Sequence, residues 1–266
     1  DGLVAAPVGG RLYLPQKWTE DRQRCIAAGV PPGLAFATKS QIAVALLEEA
    51  LRDGVGPGPV LADSAYGDNF EFRAELRRLQ LEFFVQVTGS SHKAWISPVE
   101  TKLKFKRRYV SASAPAAQTL AEIATDLAEA HWKSCSWKAA DGKTRRTRLA
   151  WIKVYLAHGL RKAGGDLEEA WLVVDWPQDD AEPYHYYLAE FKRPPTKARC
   201  LGLSRSRWHI EQYFQRAKDD LGLDHFEGRS WRGFHHHLAL SAVAYLFILV
   251  VYLRAKKNFS CDVGSG

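Results

Sequence analysis

The spacing of apolar residues predicts alternating strands and helices in the first third of the chain. The segment Arg11 to Leu14 predicts the end of a strand, and residues 40–52 carry an apolar stripe at helical spacing. A short apolar run at residues 60–62 predicts a second strand, and a helix through Leu79 and a strand at residues 81–87 follow it. Helices and strands in alternation favour an α/β layer with parallel pairing.

A different pattern begins after Gly89, where strand-like runs outnumber helical ones. Pro115 predicts the start of a helix, and Asp141-Gly142 predicts a tight hairpin turn. Helical spacing returns at residues 204–220 and 235–257. We therefore expect residues 89–203 to form a mostly β insertion, with its strands at residues 132–138, 146–157, 170–175 and 184–191.

One apolar stretch resembles a membrane span. Leu238 to Leu253 (LALSAVAYLFILVVYL) is continuously apolar apart from Ser241 and two tyrosines. It is shorter than the roughly 18 to 20 residues that a bilayer requires. We therefore expect this stretch to be a buried core helix.

Composition adds bounds on size, partners and compartment. A chain of 266 residues with 46% hydrophobic residues can bury a large core. The net charge of +7 favours an anionic partner, although such an excess also occurs on ordinary surfaces. Four cysteines without paired spacing predict neither a zinc knuckle nor a disulfide framework, and they favour a reduced, cytosolic setting.

Asp63 is the first candidate for chemistry because it directly follows the strand predicted at residues 60–62. Ligands of α/β sheets bind beyond the carboxyl ends of strands, where the loops diverge. The small residues in Asp63 to Gly67 (DSAYG) would let a metal ion or phosphate approach the backbone. Aspartate also starts turns well, so a purely structural role is equally open.

Glu211 is the second candidate. On a helix, Arg207, Glu211 and Lys218 point within about 40° of one another and share a face. An adjacent apolar stripe is expected to pack on the sheet, which would place Glu211 at the edge of the buried face. A simple surface ion pair between Arg207 and Glu211 remains an alternative. The stripe consists of Ile210, Phe214, Ala217 and Leu221.

Together, these two segments resemble the DDE transposases of bacterial insertion sequences. Those enzymes carry an Asp-x-(Gly or Ala)-(Tyr or Phe) strand end and a Tyr-x2-Arg-x3-Glu-x6-Lys helix. Asp63 to Tyr66 is similar to the first motif, and Arg207 to Glu211 with Lys218 is similar to the second. Ser204 stands where the family has its tyrosine. Further similar stretches are residues 11–15, 21–31 and 221–229.

The resemblance implies a ribonuclease-H-like core that cleaves DNA and transfers strands at transposon ends. Two aspartates and a glutamate in that family hold two divalent ions, usually Mg²⁺ (or Mn²⁺). Asp63 matches the second aspartate and Glu211 the glutamate, as catalytic and metal-binding residues. Arg207 and Lys218 match residues that contact DNA. The implied partners are transposon-end and target DNA and a second copy of the chain, without a membrane, in a cytoplasmic, nucleoid-associated setting.

No residue of this chain matches the first family aspartate, which lies on a strand upstream of residues 11–15. The chain also contains no methionine. We therefore expect an N-terminally truncated protein that does not cut DNA alone, since Mg²⁺ binds weakly unless several oxygens converge. The expected domains are an incomplete core at 1–88, the insertion at 89–203, core helices at 204–257 and a disordered tail at 258–266.

Two other functions remain open. One is a non-catalytic, transposase-derived protein that binds DNA through its basic residues. The other is a two-carboxylate hydrolase such as a glycosidase, which the basic face around Glu211 disfavours.

Basic clusters in the insertion support the DNA hypothesis, because Lys and Arg neutralise phosphates. A solubilising role is equally open for each cluster. Tryptophans of the insertion either stack on an unpaired base or pack in the sheet. The candidate DNA-binding residues are Lys104, Lys106, Arg107, Arg108, Arg145, Arg146 and, in a later loop, Arg229. The candidate stacking residues are Trp95, Trp132, Trp137, Trp151, Trp171 and Trp176.

Overall fold

The computed structural model describes residues 5–104, 107–139, 142–157, 167–177, 180–183 and 185–262, and within these the side chains of 102–104, 107–109 and 256–262 are not described. The chain divides into two compact units. The first, here called the sheet unit, is Gly56–Arg207. The second, the helical unit, combines Asp1–Val55 with Trp208–Gly266.

The sheet unit is built on one sheet of eight described strands, in the order β1-β2-β10-β9-β8-β3-β6 with β7 paired to β8. Its first two strands are parallel, as the alternation of helix and strand predicts, and the other pairs are antiparallel. Two further strands, β4 and β5, pair only with each other. The strands are β1 Val60–Ala62, β2 Phe83–Val87, β3 Lys93–Trp95, β4 Thr101–Lys104, β5 Arg107–Val110, β6 Gln118–Thr119, β7 Lys133–Lys138, β8 Thr144–Leu156, β9 Glu168–Pro177 and β10 His185–Glu190.

The described part of the sheet unit also contains four α-helices and a 3₁₀ turn at Glu129–His131, and two of the α-helices pack apolar residues into its core. Phe72 and Leu76 of one helix and Leu120 and Ile123 of another are fully buried. The second of these begins at Leu120 rather than at Pro115, because Thr119 caps it in a reciprocal pair with Glu122. The helices are α4 Ser64–Gly67, α5 Phe70–Arg78, α6 Leu120–Asp126 and α7 Lys197–Ser206.

Strands predicted as a separate β insertion continue the sheet that β1 and β2 begin. β10 pairs directly with β2, from Tyr186 opposite Val87 to Glu190 opposite Phe83. β9 and β8 then follow in order. The sheet is thus a mixed, mostly antiparallel layer, while the ribonuclease-H-like assignment and the boundaries at residues 88 and 203 stay predictions.

Among the described residues of the helical unit, helices are the only regular elements. The predicted helix at residues 40–52 is confirmed, although it begins earlier because Thr38 and Gln41 form a capping box. The predicted strand at Arg11 to Leu14 is wrong. This segment is irregular, and Arg11 binds the Glu49 carboxylate at 2.7 Å. The helices are α1 Gln16–Glu20, α2 Arg22–Ala27, α3 Lys39–Arg52, α8 Trp208–Asp219 and α9 Trp231–Asp262.

The apolar stretch at residues 238–253 lies in α9 and is not the buried core helix predicted for it. Ser241 and Tyr245 are buried, but Val243 is 63% exposed and Phe247 70% exposed. The helix buries only one side, where the Tyr245 ring packs edge-on against Tyr213 of α8 at 4.8 Å. The helix also continues to Asp262 and includes residues 258–262 of the predicted tail.

The part of α9 from Trp231 to Ala255 is long and apolar enough to cross a membrane, with a mean hydropathy of 2.1 in its most apolar window. This is a statement of length and composition. Core helices of soluble proteins also satisfy it when they are mostly buried, and 11% of this window is buried.

Candidate active site around Asp63

Asp63 lies directly after β1 and caps the N-terminus of α4. Its Oδ1 accepts a hydrogen bond from the Ala65 amide at 3.1 Å, and its carbonyl accepts one from the Gly67 amide at 2.8 Å. The residue is nevertheless exposed to solvent. Asp63 therefore starts a turn, and its carboxylate also lies where a ligand of the sheet would bind.

Helix α4 is pressed against β2 at Gly67. A Cβ atom on Gly67 would lie 1.9 Å from the carbonyl oxygen of Gln86 and 3.2 Å from the Cβ of Val85. No side chain fits in that space without moving the backbone. The absence of a side chain at this position lets the end of the Asp63 turn touch the neighbouring strand.

A buried ion pair supports the same turn from the other side. Arg73 of α5 has no exposed surface, and its Nε and one terminal nitrogen bind the two oxygens of Glu168 at 2.8 Å each. The other terminal nitrogen donates to the Gly67 carbonyl at 2.5 Å. Burial acts to raise the pKa of Glu168, but hydrogen bonds and charge from Arg73 and Arg77 outweigh it and hold the pKa below its usual range.

Asp68 ties α4 to the loop that follows β2. Its carboxylate accepts hydrogen bonds from the Thr88 amide at 2.8 Å and the Thr88 hydroxyl at 2.7 Å, and it contacts His92 Nε2 at 2.8 Å. Partial burial acts to raise the pKa of Asp68. The contacts with Thr88 and His92 outweigh burial and hold the pKa below its usual range. The Asp63 turn is thus held at its far end by several strong contacts.

Arg73, Glu168, Asp68 and His92 were missed by sequence reasoning. One signal was available for Arg73, which follows Phe72 directly and lies three residues before Leu76 on the buried side of α5. A charged residue on an apolar helix face predicts a buried partner. Nothing in the sequence identifies that partner as Glu168, which is 95 residues away.

Glu211 lies in the first turn of α8 in the helical unit and is exposed. The stripe expected to pack beside it is only partly buried, since Ala217 has no exposed surface but Ile210 is 53% exposed and Phe214 45% exposed. The contact face of α8 is rotated from the predicted one, because Tyr213 makes the ring contact with α9. Glu211 is therefore not at the edge of a buried apolar face.

The basic residues predicted beside Glu211 lie on two helices. Lys218 is exposed in the last turn of α8, and Arg207 is the C-cap of α7. Ser204, at the position of the family tyrosine, is nearly buried and donates its hydroxyl to the Leu201 carbonyl at 3.0 Å. The hydroxyl proton of Ser204 is therefore used within the helix that carries it.

Asp63 and Glu211 belong to different compact units, and their meeting in one site stays a prediction. Among the described residues, no group of three or more His, Cys, Asp and Glu side chains is arranged to hold a metal ion. Carboxylate oxygens are the donors that Mg²⁺ and Mn²⁺ prefer. The donor chemistry of Asp63 therefore fits such an ion, and its described surroundings supply part of a site.

The predicted DNA-binding residues of the insertion occur in two hairpins. Arg145 and Arg146 are exposed on β8, where they pair with Trp137 and Ser136 of β7. Lys104 pairs with Arg107 across β4 and β5, beside Arg108. The side chains of these last three, and all of Lys106, lie outside the described residues. Arg229 is exposed in the loop before α9.

The six tryptophans considered for base stacking or sheet packing are at least partly buried. Trp132 and Trp176 enclose the Arg148 guanidinium, at 5.3 and 4.8 Å from their ring centroids. Arg205 lies 3.9 Å from the ring centroid of Trp137. These rings make packing and cation–π contacts within the sheet unit.

Comparison with known proteins gives a family match. The model of the family described as DDE superfamily endonuclease matches residues 1–156, more than half of the 266-residue chain, and this range includes Asp63. No curated protein matches the chain. With Asp63 exposed at the end of a parallel strand, the match accords with the site described above, and the chain belongs to the DDE superfamily endonuclease family.

Proposed function

We propose that this chain is the catalytic region of a DNA transposase of the insertion-sequence type, acting on transposon ends. The observation that carries the proposal is the position of Asp63 in a member of the DDE endonuclease family. Its carboxylate is exposed at the carboxyl end of parallel strand β1 and stands on a turn that is held rigidly from behind. DNA is the substrate that the family implies.

Asp63 and Glu211 are the proposed catalytic carboxylates. Both are exposed, and both would supply oxygen ligands to two Mg²⁺ or Mn²⁺ ions. When bound, such a pair of ions activates the attacking water or 3′-hydroxyl and stabilises the leaving oxygen. Because only two of the three family carboxylates have a match here, we expect residues 1–266 alone to bind DNA without cutting it.

The hairpin of β7 and β8 is the proposed DNA contact of the sheet unit. Thr144, Arg145 and Arg146 pair with Lys138, Trp137 and Ser136 of β7, so two described strands form a ribbon at the end of this hairpin. Five basic residues on it are exposed, and Asp141 is the single acidic residue between 133 and 147 in the sequence. A two-stranded ribbon of this kind fits a DNA groove, where its cations neutralise phosphates. The five are Lys133, Lys138, Lys143, Arg145 and Arg146.

The remaining parts of the proposal concern partners and location. Two copies of the chain would act together on two DNA ends, in a cytoplasmic, nucleoid-associated setting. The proposal includes no membrane partner. One side of α9 is tied to its own unit by its ring contact with Tyr213 and by the bond from His237 to the Gly222 carbonyl at 2.9 Å.

A second candidate function is DNA binding without catalysis, by a protein derived from a transposase. Among the described side chains, no group of three His, Cys, Asp or Glu residues is arranged to hold a metal ion, and this favours binding without catalysis. The two functions differ in whether divalent ions at Asp63 change the interaction with DNA.

The test measures binding of a short labelled DNA duplex by fluorescence anisotropy across a salt series, with and without Mn²⁺. The double variant Arg145→Ala/Arg146→Ala should lower the slope of log K against log salt by about 2, since each phosphate contact contributes about one. Lys17→Ala/Arg22→Ala, two exposed cations of the helical unit, is the matched control.

Metal dependence separates the two candidates. A catalytic region should bind DNA more tightly in Mn²⁺, and Asp63→Asn should remove that gain. Binding that is indifferent to both Mn²⁺ and Asp63→Asn would favour the non-catalytic protein. An unchanged salt slope in the ribbon variant would contradict the proposed DNA contact.

A further inference from the structure

A charged side chain with no exposed surface lies behind the turn that carries Asp63. Arg73 is on α5, next to Phe72, and both are buried. Burying a guanidinium is strongly unfavourable unless opposite charge and hydrogen bonds compensate. Glu168 supplies that compensation through two parallel hydrogen bonds of 2.8 Å, and its own side chain is 3% exposed.

Stability alone does not account for this pair. A well-packed apolar pair of similar volume is often as stable as a buried ion pair. An apolar pair cannot donate a hydrogen bond, however, and the Arg73 guanidinium donates one to the Gly67 carbonyl at 2.5 Å. The Gly67 amide in turn binds the Asp63 carbonyl at 2.8 Å. Two hydrogen bonds therefore connect the guanidinium to the backbone of Asp63.

Helix α4 depends on such contacts for its position. It has four residues, and a helix this short is not stable by itself in water. Gly67 fixes one side of it against the Gln86 carbonyl, and Asp68 fixes its end through Thr88 and His92. Arg73 supplies the contact on the Gly67 carbonyl. The direction of the Asp63 carboxylate at the other end of α4 follows from these anchors.

Glu168 is itself oriented by a second arginine. Arg77, one turn further along α5, donates to Glu168 at 2.7 Å, to Glu190 at 3.1 Å and to the Glu169 carbonyl at 3.0 Å. These bonds link β9 and β10 to α5 and leave the Glu168 carboxylate little freedom to turn. A fixed Glu168 fixes Arg73, because the bidentate geometry permits one orientation of the guanidinium plane.

We propose that Arg73, held in place by Glu168, is a positioning residue that sets the direction of the Asp63 carboxylate through Gly67. This inference rests on the proposed function, in which Asp63 is a metal ligand. Groups behind a metal ligand orient it, and their loss typically weakens metal binding about 10- to 100-fold. Arg73 and Glu168 act here without touching the ion or the DNA.

The test compares the 266-residue chain with the double variant Arg73→Met/Glu168→Leu, which keeps volume and removes the bond to Gly67. The matched control is Arg78→Met/Glu75→Leu, which removes an exposed ion pair of 2.7 Å on the same helix. Three quantities are measured: the urea midpoint, the NMR shifts of the Ala65 and Gly67 amides, and line broadening by Mn²⁺ at residues 63–66.

The double variant should still fold, although it loses the donor to the Gly67 carbonyl. It should shift both amides and require about 10-fold more Mn²⁺ for the same broadening. The control should match the original chain in all three quantities. Whatever the urea midpoint, amide shifts and a Mn²⁺ response that match those of the original chain in the folded variant would mean a merely structural role and would overturn the proposal.

Two further outcomes are also decisive. Should the double variant fail to fold, Arg73→Lys is measured instead. It keeps the charge beside Glu168 but replaces the three bonding nitrogens of the guanidinium by one, so the bond to Gly67 cannot keep its geometry, and the same amide shifts decide. Should the original chain show no Mn²⁺ effect at residues 63–66, the metal role of Asp63 fails. In that case unchanged amide shifts in the variant would reject the positioning role as well, while altered shifts would support it.

Discussion

Each of the two compact units contains a residue whose burial is the opposite of what its hydropathy predicts. The sheet unit buries Arg73 completely, whereas the helical unit leaves Phe247 70% exposed. Arg73 has a complete set of acceptors in Glu168 and Gly67. Phe247 lies on the side of α9 opposite to its contact with α8, where α9 buries Ser241 and Tyr245. Burial therefore depends on the partners that the fold supplies and less on the residue type.

Phe83→Ala in the sheet unit should have the largest effect. Phe83 lies on β2 with no exposed surface, so its truncation leaves a cavity and should cost about 3–5 kcal/mol of unfolding free energy. Urea unfolding followed by circular dichroism measures this cost. A loss below about 1 kcal/mol would show that β2 is not in a close-packed core.

Glu168→Gln should have the second-largest effect. It leaves the Arg73 charge buried without its full partner and should lower the free energy of unfolding by about 3 kcal/mol. Glu75→Gln, in an exposed pair with Arg78, should cost much less. Urea unfolding at neutral pH compares the two variants. Equal losses would mean that the Arg73–Glu168 pair is not buried in solution.

The same pair gives stability a defined pH dependence. The pKa of Glu168 is lower in the folded than in the unfolded chain, so its contribution is complete above the unfolded value. That contribution is lost as the pH falls through the folded value. In Glu168→Gln this part of the acid dependence should be absent.

Phe247→Ala in α9 should have the smallest effect. Because Phe247 is mostly exposed, its truncation should change the unfolding free energy by no more than about 0.5 kcal/mol. It is the direct counterpart of Phe83→Ala, with the same atoms removed. A loss comparable to that of Phe83→Ala would show that this side of α9 is covered in solution.

Sequence patterns predicted local elements of this fold well. The strands at residues 60–62 and 81–87, and their parallel pairing, follow from short apolar runs between helices. The hairpin of β7 and β8 follows from the Asp141-Gly142 signal, and Gly142 has the positive φ of 77° that such turns use. These features depend on residues close in sequence, which is why local patterns suffice.

Features set by distant residues escaped prediction. That β10 would pair with β2 depends on segments about a hundred residues apart, and no periodicity encodes it. The exposure of α9 was missed because hydropathy predicts burial without saying which faces receive a partner. In the candidate site, Asp63 was recognised from its place after a strand, whereas the Arg73–Glu168 support behind it required the fold.

Gly67 restricts which substitutions this chain can accept during evolution. Any residue other than glycine would direct its first side-chain carbon into the Gln86 carbonyl, 1.9 Å away. The limit is one of space, and it would apply even if Asp63 had lost its chemistry, as long as α4 still pressed on β2. A library of substitutions selected only for folding should therefore retain glycine at 67 while Asp63 drifts. The same library selected for DNA cleavage in an active relative should retain both residues. Retention of Gly67 then reports selection for the fold, and retention of Asp63 reports selection for catalysis.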